Sequence, residues 1–145
     1  MKLRESASHD ALGLMQLIGR GEISAQEAQA CALEATAQLN PALNFIAGEL
    51  APEPQWIEGR AFSGLPFLVK DGSGVAGFPL SRGSRLGARL IAPQDSAVSK
   101  RHRDTGVAII GVTTSPEFGL YPVTEGNLHG ITRNPWNLDH APGGS

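Results

Sequence analysis

Two features of the sequence could take part in chemistry. Lys70 directly follows the short apolar run from Leu65 to Val69, and residues 143–145 are Gly-Gly-Ser. Taken separately, a lysine at a strand end is usually a solvated charge, and a Gly-Gly-Ser is usually a flexible turn. Neither feature alone identifies a site, but an amine and a hydroxyl are the groups that serine-based hydrolysis can use.

A serine hydroxyl is a poor nucleophile until a base removes its proton. A lysine can be that base only if its pKa falls from about 10.4 towards neutrality. Burial at the end of an apolar strand would lower the pKa, because desolvation disfavours the charged ammonium. A second serine can accept and donate a proton at once, so it could pass the proton from the nucleophile to the lysine. We therefore expect Lys70 to lie in a dry pocket.

Other chemistries have weaker support in the sequence. The four histidines are scattered, without the spacing or the cysteine partners of a zinc site, so we expect no metal and no cofactor. Gly72, Gly74 and Gly77 form a GxGxxG after an apolar run, but Phe78-Pro79 prevents the helix that a dinucleotide site needs, and we interpret the glycines as a surface turn. No serine has the GxSxG setting of a nucleophile elbow.

The composition limits which binding partners and which cellular compartment we expect for this protein. The net charge is −2, with 12 Lys and Arg against 14 Asp and Glu, so no basic excess favours nucleic acid. The single cysteine, Cys31, excludes an internal disulfide and is expected to be a small buried hydrophobe. No apolar run is long enough to span a membrane. We expect a soluble cytoplasmic protein and leave its oligomeric state open.

The first 50 residues show helical periodicity. One short helix, ended by Gly19 and Gly21, has a single apolar face composed of Ala11, Leu14, Met15 and Ile18. A second helix begins at a capping box, Ser24 with Glu27, and is expected to stop at Asn40-Pro41. Its small-residue side is Ala28, Cys31, Ala32, Ala35 and Leu39.

Strands follow a polar connector over residues 52–63. A buried strand over 65–69 leads to Lys70 and Asp71, and a helix capped by Asp95 and Ser96 runs to about residue 105. A second buried strand over 107–110 completes a strand, helix, strand order, which implies a crossover. We predict an α/β fold in which N-terminal helices precede the first part of a mixed sheet covered by helices.

Several short motifs, taken in order, resemble the amidase signature family. They run from about residue 64 to the last residue, and the helical start is similar to the N-terminal arm of that family. The motifs are Gly64-Leu65-Pro66-Phe67-Leu68-Val69-Lys70-Asp71, Gly77-Phe78-Pro79, Gly83-Ser84, Thr114-Ser115-Pro116-Glu117-Phe118-Gly119, Gly130-Ile131-Thr132-Arg133-Asn134-Pro135-Trp136 and Pro142-Gly143-Gly144-Ser145.

The resemblance implies roles for Lys70 and for the Gly-Gly-Ser at residues 143–145. Lys70 matches the catalytic lysine of a Ser-cisSer-Lys triad, Ser145 matches the serine on a cis peptide bond, and Gly143 and Gly144 support it. The nucleophilic serine of the family lies in a further glycine-rich segment. We therefore expect a helical arm over 1–58, a truncated catalytic domain over 59–145, and a chain that does not hydrolyse small-molecule amides by itself.

Three positions depart from the family pattern. Gly72 replaces a common asparagine, Val112 a common lysine, and His102 a leucine, and we expect His102 to be a partly exposed helix residue. Three alternatives stay open: a non-catalytic remnant or interaction module, part of the A subunit of a glutamyl-tRNA amidotransferase, and a dinucleotide-binding module.

Overall fold

The computed structural model describes residues 3–144. Its elements are α1 (Leu3–Ser6), α2 (Ala11–Gly19), α3 (Ala25–Leu43), β1 (Pro66–Lys70), α4 (Ala97–Asp104), β2 (Ala108–Thr113), β3 (Glu125–Gly126) and β4 (Gly130–Ile131). Two single 3-10 turns add Arg85–Gly87 and Glu117–Gly119. The α/β prediction is confirmed, with helices first and strands after.

Helix α3 begins where the capping box predicts. The Ser24 hydroxyl accepts from the backbone N–H of Glu27, and the Glu27 carboxylate accepts from the backbone N–H of Ser24, so each satisfies a donor that the first turn leaves unpaired. Cys31 is buried on the inner side, as expected, and the buried Gln29 donates to the carbonyl of Gly64. This hydrogen bond ties the helix to the start of β1.

The predicted end of α3 is wrong by about three residues, because the helix continues through Pro41 to Leu43. Asn40 stops it from within, since its side-chain oxygen accepts from the backbone N–H groups of Phe45 and Ile46. Asn44 follows in a left-handed conformation. Leu39, expected on the packed side, is 52% exposed.

The central sheet is a parallel pair, β1 with β2, joined through α4. The register pairs Lys70 with Thr113, so both strands end at the same edge. An isolated antiparallel bridge between Ile46 and Thr113 extends the sheet beyond β2. The core under the sheet comprises Ala47, Val69, Val75, Val107, Ile109 and Val112, with Phe62, Phe67 and Phe78 packed against it.

Two further sequence interpretations agree with the structure. No helix begins within the glycine segment at residues 72–77, where Gly72 and Gly77 both have positive φ. His102 is half-buried on α4, and its ring lies 5.0 Å from that of Phe67.

Within residues 3–144, no helix combines the length and hydropathy that a transmembrane segment requires.

The loop after β1 lies directly on the segment after β2. A Cβ at Gly83 would lie 2.4 Å from the carbonyl oxygen of Ser115, and the φ of Gly83 is +66°. Phe118 donates its backbone N–H to the carbonyl of Arg82 across the same contact, at 2.8 Å. Only glycine allows this approach, because any side chain would occupy the space of the Ser115 carbonyl.

We expect Gly83→Ala to lower the free energy of unfolding by about 3 kcal/mol, through left-handed strain plus steric overlap with backbone. The matched control is Gly59→Ala, because Gly59 has a similar φ of +71° but open space around it. Strain alone should cost that variant about 1 kcal/mol. Urea unfolding of both variants measures the difference, and equal losses would contradict the close contact.

Candidate active site

Lys70 lies at the carboxyl edge of the sheet, beside an open cavity of about 310 Å³. The loop after β1 supplies one wall and the segment after β2 the other. The lining residues are Lys70, Asp71, Gly72, Ser73, Arg82, Ser115, Phe118 and Gly119. The carboxyl edge of parallel strands is the usual place for a site in an α/β protein.

The dry environment expected for Lys70 is absent from the described part of the chain. Lys70 is exposed, whereas Val69 before it is 3% exposed and Asp71 after it is 2% exposed. The physical reason is the geometry of the strand end, since successive strand residues face opposite sides and Lys70 faces the open cavity. Desolvation of this amine therefore requires a further covering element.

Asp71 organises the wall of the cavity. One carboxylate oxygen, Oδ2, accepts from the Ser81 hydroxyl at 2.5 Å and from the backbone N–H of Gly83 at 3.0 Å. The other, Oδ1, is buried and has no hydrogen-bond partner within residues 3–144. A carboxylate this deeply buried is costly unless hydrogen-bonded, so these donors hold the loop in one conformation.

His129 joins this network through Ser81. Its Nε2 lies 3.1 Å from the Ser81 hydroxyl oxygen. Because that hydroxyl gives its only proton to Asp71, the oxygen accepts from an Nε2–H of His129. Burial lowers the pKa of His129, and the nearby Asp71 carboxylate partly opposes this effect. The imidazole is therefore held in its neutral form.

Sequence reasoning missed the connection between Asp71, Ser81 and His129. The histidines are scattered along the sequence, and His129 is 48 residues from Ser81. No spacing rule links them, because the turn at β3–β4 brings His129 into place. Asn44 fixes that turn, since its side-chain amide donates to the carbonyls of His129 and Ile131.

The glycines before Ser145 are placed near the cavity wall. The Thr124 hydroxyl donates to the carbonyl of Gly143 at 3.2 Å. A Cβ at Gly144 would lie 2.7 Å from the ring of Pro116, which follows the cavity residue Ser115. Ser145 and its peptide bond lie outside the described residues, so its predicted role and cis geometry stay predictions.

Within residues 3–144, no cluster of three His, Cys, Asp or Glu side chains could hold a metal ion.

The neutral state of His129 predicts a pH-dependent stability. Its folded pKa lies below the ordinary 6.5, so between the two values the unfolded chain binds more protons. The contribution of His129 is complete above pH 6.5 and is lost as the pH falls from there through the folded pKa. Urea unfolding at pH 7.5 and 5.5 should show a smaller loss in His129→Gln than in the unchanged chain.

The glutamine amide can still donate to Ser81 but does not titrate. His140→Gln, at an exposed histidine, is the matched control and should keep the original pH dependence. An unchanged pH dependence in His129→Gln would show that this histidine does not couple folding to pH.

Comparison with known proteins places these motifs in one family. A family model described as Amidase matches residues 18–145. Among curated relatives, the A subunit of the glutamyl-tRNA(Gln) amidotransferase from Acidothermus cellulolyticus is 31% identical over 147 residues, which cover 93% of this chain and 29% of the relative.

Solved structures give the same result. A 6-aminohexanoate cyclic dimer hydrolase is 29% identical with a TM-score of 0.76, over 94% of this chain and 30% of that one. The peptide amidase of Stenotrophomonas maltophilia is 25% identical with a TM-score of 0.80, over 96% and 32%. The chain thus spans about three tenths of the length of these proteins. Because the family match extends over most of its residues and the solved structures share its fold, the chain belongs to the amidase signature family.

Proposed function

We propose that this chain supplies the lysine and the intermediate serine of an enzyme that hydrolyses the C–N bond of carboxylic amides. In this proposal Lys70 is the base, Ser145 passes the proton, and Gly143 and Gly144 support Ser145. One observation carries the proposal: Lys70 lines the cavity, and Gly144 packs on Pro116, directly after the cavity residue Ser115. We propose that Ser145, the residue after Gly144, reaches this cavity.

The proposed reaction moves one proton along the triad. The neutral amine of Lys70 takes the proton of the Ser145 hydroxyl, which takes the proton of the nucleophilic serine. The nucleophile then bonds to the amide carbonyl carbon, and the proton returns to the leaving nitrogen as the C–N bond breaks. Water hydrolyses the resulting ester. We propose that the nucleophile lies outside these residues, so that the chain alone is inactive.

The exposure of Lys70 agrees with a division of the site between segments. An exposed strand end does not provide the low-polarity environment that a lysine base requires. The relatives are about three times as long as this chain, and we propose that the further part of such a protein covers the cavity. Covering Lys70 would desolvate the amine and favour its neutral form.

A second candidate is the A subunit of a glutamyl-tRNA(Gln) amidotransferase. Relatives of that name reach 38% identity over 114 residues of this chain. Such a protein would release ammonia from glutamine, which is also hydrolysis of a carboxamide. With a net charge of −2, this chain has little electrostatic attraction for the transfer RNA itself. Glutamine-dependent formation of glutaminyl-tRNA by a purified complex would distinguish this candidate from a free-standing amidase.

A third candidate is a non-catalytic remnant or interaction module that keeps the first part of the fold. We further propose a cytoplasmic location, in keeping with a single, buried cysteine. A reading frame that continues into a second glycine- and serine-rich segment would favour the enzyme, and a stop codon after Ser145 would favour the remnant.

The enzyme proposal predicts that Lys70→Arg strongly slows amide hydrolysis. Arginine keeps a positive charge at the strand end but does not lose its proton at accessible pH, so it cannot be the base. In the protein expressed from its native gene, we expect kcat/KM for ammonia release from small carboxamides to fall by about 10³-fold.

Lys100→Arg is the matched control, because Lys100 is exposed on α4, outside the cavity lining. It should leave kcat/KM unchanged. An undiminished kcat/KM in Lys70→Arg would exclude Lys70 as the base, and an unchanged protein that releases no ammonia from any amide would favour the non-catalytic module.

A further inference from the structure

The backbone at Arg82 has a conformation that suits glycine. Its φ is +52°, in the left-handed region, where an L side chain crowds its own backbone. Three non-glycine residues within 3–144 share this feature, namely Asn44, Arg82 and Phe118. Asn44 is the C-cap of α3, where asparagine is well tolerated. The other two lie on the cavity wall, and arginine has no such tolerance.

The surrounding structure imposes this conformation on Arg82. Its neighbours Ser81 and Gly83 both donate hydrogen bonds to the buried Asp71 carboxylate. Its own carbonyl accepts from the N–H of Phe118, the second left-handed residue. Strained residues that are held in this way are concentrated at functional sites. The strain at Arg82 therefore calls for an explanation in its side chain.

The guanidinium of Arg82 combines a place in the cavity lining with the lack of a side-chain partner among the described residues. Arg103 pairs with Asp95 at 2.8 Å, and Arg133 donates to the carbonyl of Leu138. Within the described range, no side-chain hydrogen bond or ion pair involves Arg82, although its residue lines the cavity and is exposed. Five N–H donors on a planar fork are therefore available at the cavity wall.

The charges around the cavity favour an anion. Lys70 and Arg82 line it, and the carboxylate in the lining, Asp71, is 2% exposed with Oδ2 already accepting two hydrogen bonds. Glu117 directly precedes the lining residue Phe118 but is not itself part of the lining. Its carboxylate accepts a hydrogen bond from the Ser84 hydroxyl at 2.6 Å. Among the described residues of the lining, no exposed carboxylate competes for the guanidinium.

We infer that Arg82 binds a carboxylate group of the substrate, so that the site prefers amides that also carry a negative charge. This inference rests on the proposed amidase function and names its substrate class. A guanidinium pairs with a carboxylate through two parallel N–H···O bonds, and the anchored backbone of Arg82 reduces the ordering that binding requires. Lys70 lines the same cavity, so the Arg82 variants below decide which of the two side chains holds the carboxylate.

The test compares two molecules of the same shape and different charge. Succinamate carries an amide and a carboxylate, and succinamide carries a second, neutral amide in place of the carboxylate. Titration of each into the ¹⁵N-labelled 145-residue chain, followed by the amide shifts of the cavity residues, gives both dissociation constants. We expect succinamate to bind at least about tenfold more tightly, in line with a charge-assisted bidentate pair.

Three variants separate charge from structure. Arg82→Asn removes the charge but suits the left-handed backbone, so the preference should disappear while the thermal midpoint stays equal or rises. Arg82→Lys keeps a charge without the fork and should keep only part of the preference. Arg89→Asn, at an exposed arginine outside the cavity lining, is the control and should bind like the unchanged chain.

Each contrary outcome has a defined meaning. Equal affinity for the two molecules, no binding of succinamate, or a preference that survives Arg82→Asn overturns the inference. Amide hydrolysis by the native protein without any charge preference rejects the role of Arg82 and leaves the amidase proposal intact. An Arg82-dependent preference without hydrolysis of any amide rejects the amidase proposal, and with it the substrate assignment.

Discussion

The candidate site depends on one buried carboxylate. Asp71 directly follows β1, and its backbone N–H donates to the carbonyl of Thr113, which continues the pairing of the two parallel strands. Its side chain, 2% exposed, then receives Ser81 and Gly83 from the returning loop. A buried charge without donors would be expensive, so the loop conformation that provides them is strongly favoured. Both cavity walls are positioned relative to this group.

The hydrogen bonds of Asp71 explain why the cavity wall contains strained residues. Arg82 is left-handed between two residues that are bound to Asp71, and its carbonyl accepts from the backbone N–H of Phe118. Gly83 permits the close approach to Ser115 that brings the two segments together. The network also extends outward to His129, which burial keeps neutral. The hydrogen bonds to the buried Asp71 carboxylate thus help to fix the shape of the cavity wall.

The membership of the amidase signature family gives this arrangement a chemical meaning. The structure places the lysine at the carboxyl edge of the sheet and the two glycines against the segment that lines the cavity. It leaves the amine exposed, and a lysine base needs a low-polarity environment. The described residues do not supply that environment, and the chain spans about three tenths of the length of the relatives.

Local signals in the sequence determined much of the secondary structure. The capping box at Ser24, the cap at Ser96 and the apolar run before Lys70 act over a few residues, and each element begins close to where those signals predict. The end of α3 was harder to predict, because the Asn40 side chain caps the helix by accepting from the backbone N–H groups of Phe45 and Ile46, which come after Pro41. The order of short motifs also identified the family.

Tertiary structure alone decided the surroundings of that lysine. The exposure of Lys70, the hydrogen bonds of Ser81 with Asp71 and His129, and the left-handed backbone at Arg82 all depend on segments far apart in the chain. Whether a strand end is covered depends on what packs over it, which no periodicity within the strand records. Sequence spacing therefore determined which groups are present, and packing between distant segments determined which of them meet and how much water reaches them.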